Sequence, residues 1–163
     1  MAEIRILEPG AEYHVGSRIN RGEKIFENPR SRELFLQVVG QAKIKYKFLI
    51  RVFSLMGNHF HFILKPDESI CLSKLLQWIK SVFARRWNKM MGLHGHVWQE
   101  RFFSVIIRTV QMMEETIEYI LKNPKKAGLP DDPEIWQHKH CGLWLQLRKL
   151  LRAFRAKPPL QQS

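Results

Sequence analysis

His59 and His61 stand one residue apart in the stretch MGNHFHFIL, residues 56–64. The stretch has the aromatic and branched composition of a β-strand, and strand side chains alternate between two faces. His59, His61 and Ile63 therefore share one face, and Phe60, Phe62 and Leu64 the other. Residues two apart on a strand are separated by roughly 7 Å at Cα, so two neutral imidazoles there can converge on one divalent ion. Spacing alone does not single out this pair. His94-Gly95-His96 falls in a loop, where geometry is not fixed, and His138-Lys139-His140-Cys141 has no partner ligands nearby in sequence. For any one of the three, a half-exposed pair without a ligand is the plainer reading.

A second group lies in ETIEYILKNP. Tyr119 and Asn123 are one helical turn apart and share a face, with Glu115 one turn earlier on the same side. The core-facing set of that helix reads as Met113, Ile117, Ile120 and Leu121. On their own, Tyr119 is an amphipathic packing residue beside that set, and Asn123 before Pro124 is the helix stop.

The elements that must position these groups can be read in order. YHVGSRIN (13–20) is a strand entered from the Pro9-Gly10 turn. Asn28-Pro29 opens a helix through Tyr46, with Leu34, Phe35, Val38 and Val39 at helical spacing. KFLIRVFSL (47–55) and NHFHFILK (58–65) form a hairpin around Met56-Gly57-Asn58. Leu72 to Met91 is a second long helix, RFFSVIIRT (101–109) a fourth strand, and MMEETIEYILKN (112–123) a third helix. The order β-α-β-β-α-β-α predicts an α+β chain: a ferredoxin-like split βαβ antiparallel sheet with helices on one face and the other face open to a ligand. A basic, amphipathic helical tail follows, so the chain divides into 1–130 and a 131–163 extension.

Composition narrows the partners. Twenty-seven Lys and Arg against fifteen Asp and Glu give +12, a field that attracts polyanions. Two cysteines, Cys71 and Cys141, with no Cys-x-x-Cys pair, argue against a disulfide framework or a structural zinc site. There is no signal-peptide pattern at the start and no membrane-length apolar run, so the expectation is a cytoplasmic protein with no membrane partner.

Together, four segments resemble a known family: PGAEYHVGSRINR, MGNHFHFIL, GHVWQERFFS and YILKNPKKAGL, in that order over roughly residues 4 to 130. The chain resembles the REP-associated tyrosine transposases, relatives of the single-tyrosine HUH endonucleases, whose name denotes histidine, bulky hydrophobic residue, histidine. The resemblance implies a ferredoxin-like fold and a divalent metal, Mg²⁺ or Mn²⁺. It implies cleavage of single-stranded DNA beside a hairpin by a monomer or homodimer. Carried onto this sequence, His59 and His61 become metal ligands, Tyr119 the nucleophile and Asn123 a third polar ligand. Mg²⁺ prefers oxygen ligands, so two imidazoles argue that Mn²⁺ serves as well. Arg18, Arg21, Lys80, Arg85, Arg86, Lys89 and Arg101, with Arg148 and Arg152 in the tail, become candidate phosphate contacts. The chain departs from the family in having Glu100 before Arg101-Phe102 and MGNH for the frequent Met-Pro-Asn-His, neither of which removes a ligand.

Two other classes compete. An RNA-recognition-type binder puts aromatics, not histidines, on the open sheet face. A metal-dependent hydrolase of small molecules needs more His and Asp ligands than this pattern offers. A catalytically inactive hairpin-DNA-binding protein on the same fold is the nearer alternative.

Overall fold

The computed structural model describes residues 8–126. The basic tail, with Arg148 and Arg152, lies outside the described residues. Four strands, β1 (Glu12–Arg18), β2 (Phe48–Leu55), β3 (His59–Pro66) and β4 (Phe103–Ile107), form one sheet in the order β2-β3-β1-β4. Every neighbouring pair is antiparallel. With α1 (Pro29–Lys45) between β1 and β2 and α2 (Leu72–Met91) between β3 and β4, this is the ferredoxin-like arrangement expected from the element order.

Local chemistry sets the element ends. Glu8-Pro9-Gly10-Ala11 makes a turn closed by Ala11 N–H donating to Glu8 C=O (3.2 Å), with Gly10 at φ +72. Proline followed by a positive-φ glycine is the type II pattern. The first strand ends at Arg18, two residues short of the sequence expectation, because the chain turns into a short 3₁₀ segment at Asn20–Gly22. Asn28 caps α1, its side chain accepting from Arg30 N–H (2.9 Å), with Pro29 in the first helical position. The helix α2 spans Leu72–Met91 as the apolar spacing predicts, burying Leu72, Leu75, Leu76, Ile79, Val82, Phe83 and Trp87.

The core lies between the sheet and the pair α1 and α2. Phe60 and Phe62 project from β3 onto Phe35 of α1 (ring centroids 5.2 and 6.2 Å apart). Phe35 in turn meets Phe83 of α2 at 5.5 Å, and Trp98 closes the cluster against Phe60 at 5.5 Å. All four phenylalanines are fully or almost fully buried.

Three expectations are corrected. First, the opposite face is not open throughout: α3 (Val110–Lys126) lies across it against β2, because a sheet face holding Val52 and Ile63 is apolar enough to require cover. Second, α3 continues past Asn123-Pro124 to Lys126. A proline withdraws one donor from the ladder, and α3 runs on through that loss. Third, the apolar set of α3 is narrower than its spacing suggests. Ile120 is fully buried, with Met113 and Ile117 packed at the edge of the core, but Leu121 is 39% exposed because the helix seats only one side on the sheet.

Candidate active site

β1 and β3 are the two central strands, and their register fixes the site. Gly16 lies opposite His61, Arg18 opposite His59 and His14 opposite Ile63. From β2, Ser54 pairs with His61, and from β4, Phe103 pairs with Gly16. One face therefore gathers His14, Gly16, Arg18, Ser54, His59, His61 and Phe103. Gly16 is the residue that permits this density. A Cβ there would stand 2.6 Å from the Phe60 carbonyl oxygen and 2.4 Å from a Phe103 ring carbon, so the Phe103 ring occupies the space a side chain would need.

The histidines form a connected set. The rings of His59 and His61 are 4.9 Å apart and nearly perpendicular (88°). His59 Nδ1 is 2.7 Å from Asn58 Oδ1, while Asn58 Nδ2 donates to the Gly22 carbonyl at 3.4 Å. An amide oxygen only accepts, so His59 carries its hydrogen on Nδ1 and keeps the Nε2 lone pair available. His61 Nδ1 is 3.1 Å from His14 Nε2. The His14 ring also stands edge-on to Phe103, with centroids 4.8 Å apart.

Electrostatics keeps these rings neutral. Burial pushes His61 down to about 3, with help from the nearby His59, His14 and Arg18 charges. Burial alone lowers His14 to about 4. His59 is lowered by burial and then by Arg18. At neutral pH all three offer lone pairs rather than charge, the form a metal requires.

α3 brings the tyrosine to this face. The Tyr119 ring is 5.8 Å from that of His61 and 6.0 Å from that of His14, both edge-on. Tyr119 is 46% exposed while His61 is 5% exposed, so the phenol stands where a ligand can reach it. Asn123, one turn later, has a buried amide nitrogen with no hydrogen-bond partner. Glu115 accepts from Gln111 at 2.9 Å.

The donor set suits a divalent ion of intermediate hardness. Among the described residues no three His, Cys, Asp or Glu side chains form a metal-holding group. An ion here would take two imidazoles and oxygens from water or phosphate; of the Asn123 amide only the oxygen could ligate, and its unpartnered atom is the nitrogen, a hydrogen-bond donor. That mixture fits Mn²⁺, and Mg²⁺ through its oxygens.

Sequence reasoning missed His14 and Phe103. Alternation along the first strand puts His14, Gly16 and Arg18 on one face, but only the β1–β3 register turns that face toward the histidine pair. The basic candidates separate. Arg18 is exposed on the histidine face beside His59. Arg21 is exposed in the 3₁₀ turn, at φ 56. Lys80 donates to the carbonyls of Gln99 (2.9 Å) and Glu100 (3.5 Å), tying α2 to the segment before β4. Lys80 and the exposed Arg101 line one groove of ≈ 480 Å³. Arg85, Arg86 and Lys89 are exposed on α2, which covers the sheet face opposite the histidines.

A four-stranded sheet thus carries histidines on its two central strands, with a helix-borne tyrosine beside them. Residues 9–123 match the IS200-like transposase family, and the chain belongs to it. Among solved structures, one REP-associated tyrosine transposase bound to a REP hairpin is similar, at 23% identity and TM-score 0.70. The match covers 83% of this chain and 80% of that one. A candidate transposase from Deinococcus radiodurans R1 is more distant, at 13% identity and TM-score 0.49, covering 74% of this chain and 95% of that one. None of the curated proteins matches the chain in sequence. No described helix is long and apolar enough to cross a membrane.

Proposed function

We propose that this transposase is a metal-dependent single-stranded DNA endonuclease that nicks and rejoins DNA beside hairpins through a covalent 5′-phosphotyrosine. The observation that carries the reading is the half-exposed Tyr119 ring set against His61 and His14 within one chain. The similar solved transposase is bound to a REP hairpin, and a hairpin of that kind is the partner proposed here.

Residues of this chain supply the steps. Tyr119 Oη attacks the scissile phosphorus and its proton passes to solvent. The bond from phosphorus to the 3′ oxygen breaks, and that oxygen takes up a proton to leave as a free 3′-hydroxyl. The phosphotyrosine ester keeps the phosphodiester bond energy, so a 3′-hydroxyl can reverse the step and join strands without a nucleotide cofactor. A phenol has a pKa near 10 and is a weak nucleophile without help. A divalent ion bound by His59, His61 and Asn123 would polarise a non-bridging phosphate oxygen and favour attack. Arg18, exposed on the same face, would meet the adjoining phosphate.

Covalent capture tests the reading. The protein is incubated with Mn²⁺ and labelled single-stranded hairpins from the flanks of its own gene, then run on a denaturing gel. A shifted band is expected that requires metal and disappears in Tyr119→Phe and His61→Ala. Hairpin binding with no adduct on any flank would instead indicate an inactive DNA-binding protein on this fold.

A further inference from the structure

Two of the imidazoles are linked in a way the proposed reaction does not use. Only one hydrogen fits between His61 Nδ1 and His14 Nε2, which are 3.1 Å apart. Either His61 donates and its Nε2 keeps a lone pair, or His14 donates and His61 carries its hydrogen on Nε2. The first arrangement leaves His61 able to ligate through Nε2; the second blocks that atom. On His59 the corresponding choice is already made by the Asn58 amide oxygen, which can only accept.

His14 is held where it can make the choice. Its backbone is paired on both sides, to Ile63 of β3 and Val105 of β4. Its ring is flanked edge-on by Phe103 and by Tyr119. The neighbouring Gly16 leaves room for Phe103 to lie against it. A ring so confined cannot easily turn its Nε2 away from His61.

We infer that His14 is a positioning residue: its Nε2 accepts from His61 Nδ1–H and holds His61 in the tautomer and orientation that present Nε2 to the metal. Asn58 does the same for His59, so the two ligands are oriented by different partners, an imidazole and an amide. The inference rests on the metal-site reading above. Partners of this kind usually alter metal affinity about 10–100-fold when removed.

The test has two readouts, neither of which is DNA cleavage. In metal-free protein labelled with ¹⁵N-histidine, the long-range ¹H–¹⁵N spectrum reports which ring nitrogen of His61 bears hydrogen. The Nδ1–H form is expected, and the Nε2–H form would overturn the inference. Mn²⁺ affinity is then measured by electron paramagnetic resonance without DNA. His14→Phe, which keeps a ring but offers no acceptor, is expected to bind about 10–100-fold more weakly. His14→Gln, whose amide oxygen can accept, is expected to recover most of the loss. Unchanged affinity in His14→Phe, or equal losses in both variants, would assign His14 to packing alone. Three coupled imidazole nitrogens in the wild-type Mn²⁺ signal would make His14 a ligand and also overturn the inference. A wild type that binds no Mn²⁺ would overturn the metal site and this inference with it. Normal Mn²⁺ binding with an Nε2–H His61 would overturn this inference alone.

Discussion

The two faces of β3 differ by a single step along the strand. Phe60 and Phe62 enter a dry aromatic cluster with Phe35, Phe83 and Trp98, every ring buried. His59 and His61, on the alternate positions, enter a mixed face, shared with Val52 and Ile63 and only partly covered by α3. There Tyr119 is nearly half exposed. The contrast separates stability from chemistry. One face contributes burial, and the other gives up some of it to keep lone pairs and a hydroxyl accessible.

If that division is right, the largest stability effect belongs to the aromatic face. Phe35→Ala should destabilise the protein by about 4 kcal/mol in urea denaturation, whereas Tyr119→Phe should leave the midpoint within about 0.5 kcal/mol. A comparable loss in Tyr119→Phe would break the comparison, since the tyrosine would then be part of the core.

Acid should act through the histidine face. His61 and His14 titrate near 3 and 4 when folded, below the ordinary value of about 6.5 they take when unfolded. Between these limits the unfolded chain holds more protons. The stability they contribute is therefore complete above about pH 6.5 and is lost as pH falls toward 4 and then 3. Going from pH 7 to pH 5, metal-free protein should lose on the order of 3 kcal/mol, read from denaturation midpoints. A flat profile over that interval would mean the rings are not sequestered.

The boundary between the faces can be probed at Gly16. Gly16→Ala brings a methyl group against both the Phe103 ring, which can turn, and the Phe60 carbonyl, which cannot. A loss of about 2 kcal/mol in thermal or chemical denaturation is expected, and a neutral outcome would show that the sheet yields there.

The smallest effect sharpens the comparison for binding. Arg18→Ala should lower hairpin affinity by about 1 kcal/mol and reduce the salt slope by about one. Arg86→Ala, on the far side of the sheet, should do less, as checked by salt titrations of binding. Equal effects would place DNA on both sides of the molecule.

Much of this was legible in the sequence because alternation is a local signal. The pattern HFHFIL assigns each side chain of β3 to a face, and the apolar spacing of α2 gave its span from Leu72 to Met91. What was not legible depended on pairing between distant segments. His14 joins His61 only through the β1–β3 register, across 47 positions in the chain. The seating of α3 is likewise set by the surface it meets, which is why Leu121, apolar and correctly spaced, still faces water. The bonds from the Lys80 ammonium to two backbone carbonyls are also of this kind, since no sequence pattern announces them.

The placement of the histidines on β1 and β3 also bears on how the site opens. Neither strand is an edge: each is hydrogen-bonded along both sides, within the order β2-β3-β1-β4. Fraying of a rim strand or of a helix end leaves their pairing intact. The amides of Val15 and Phe62, paired opposite each other, should therefore exchange with deuterium only through global unfolding. The imidazole pair would then persist for as long as the fold itself, while the tyrosine, carried on a helix laid over the sheet, can be released by a smaller and more frequent opening.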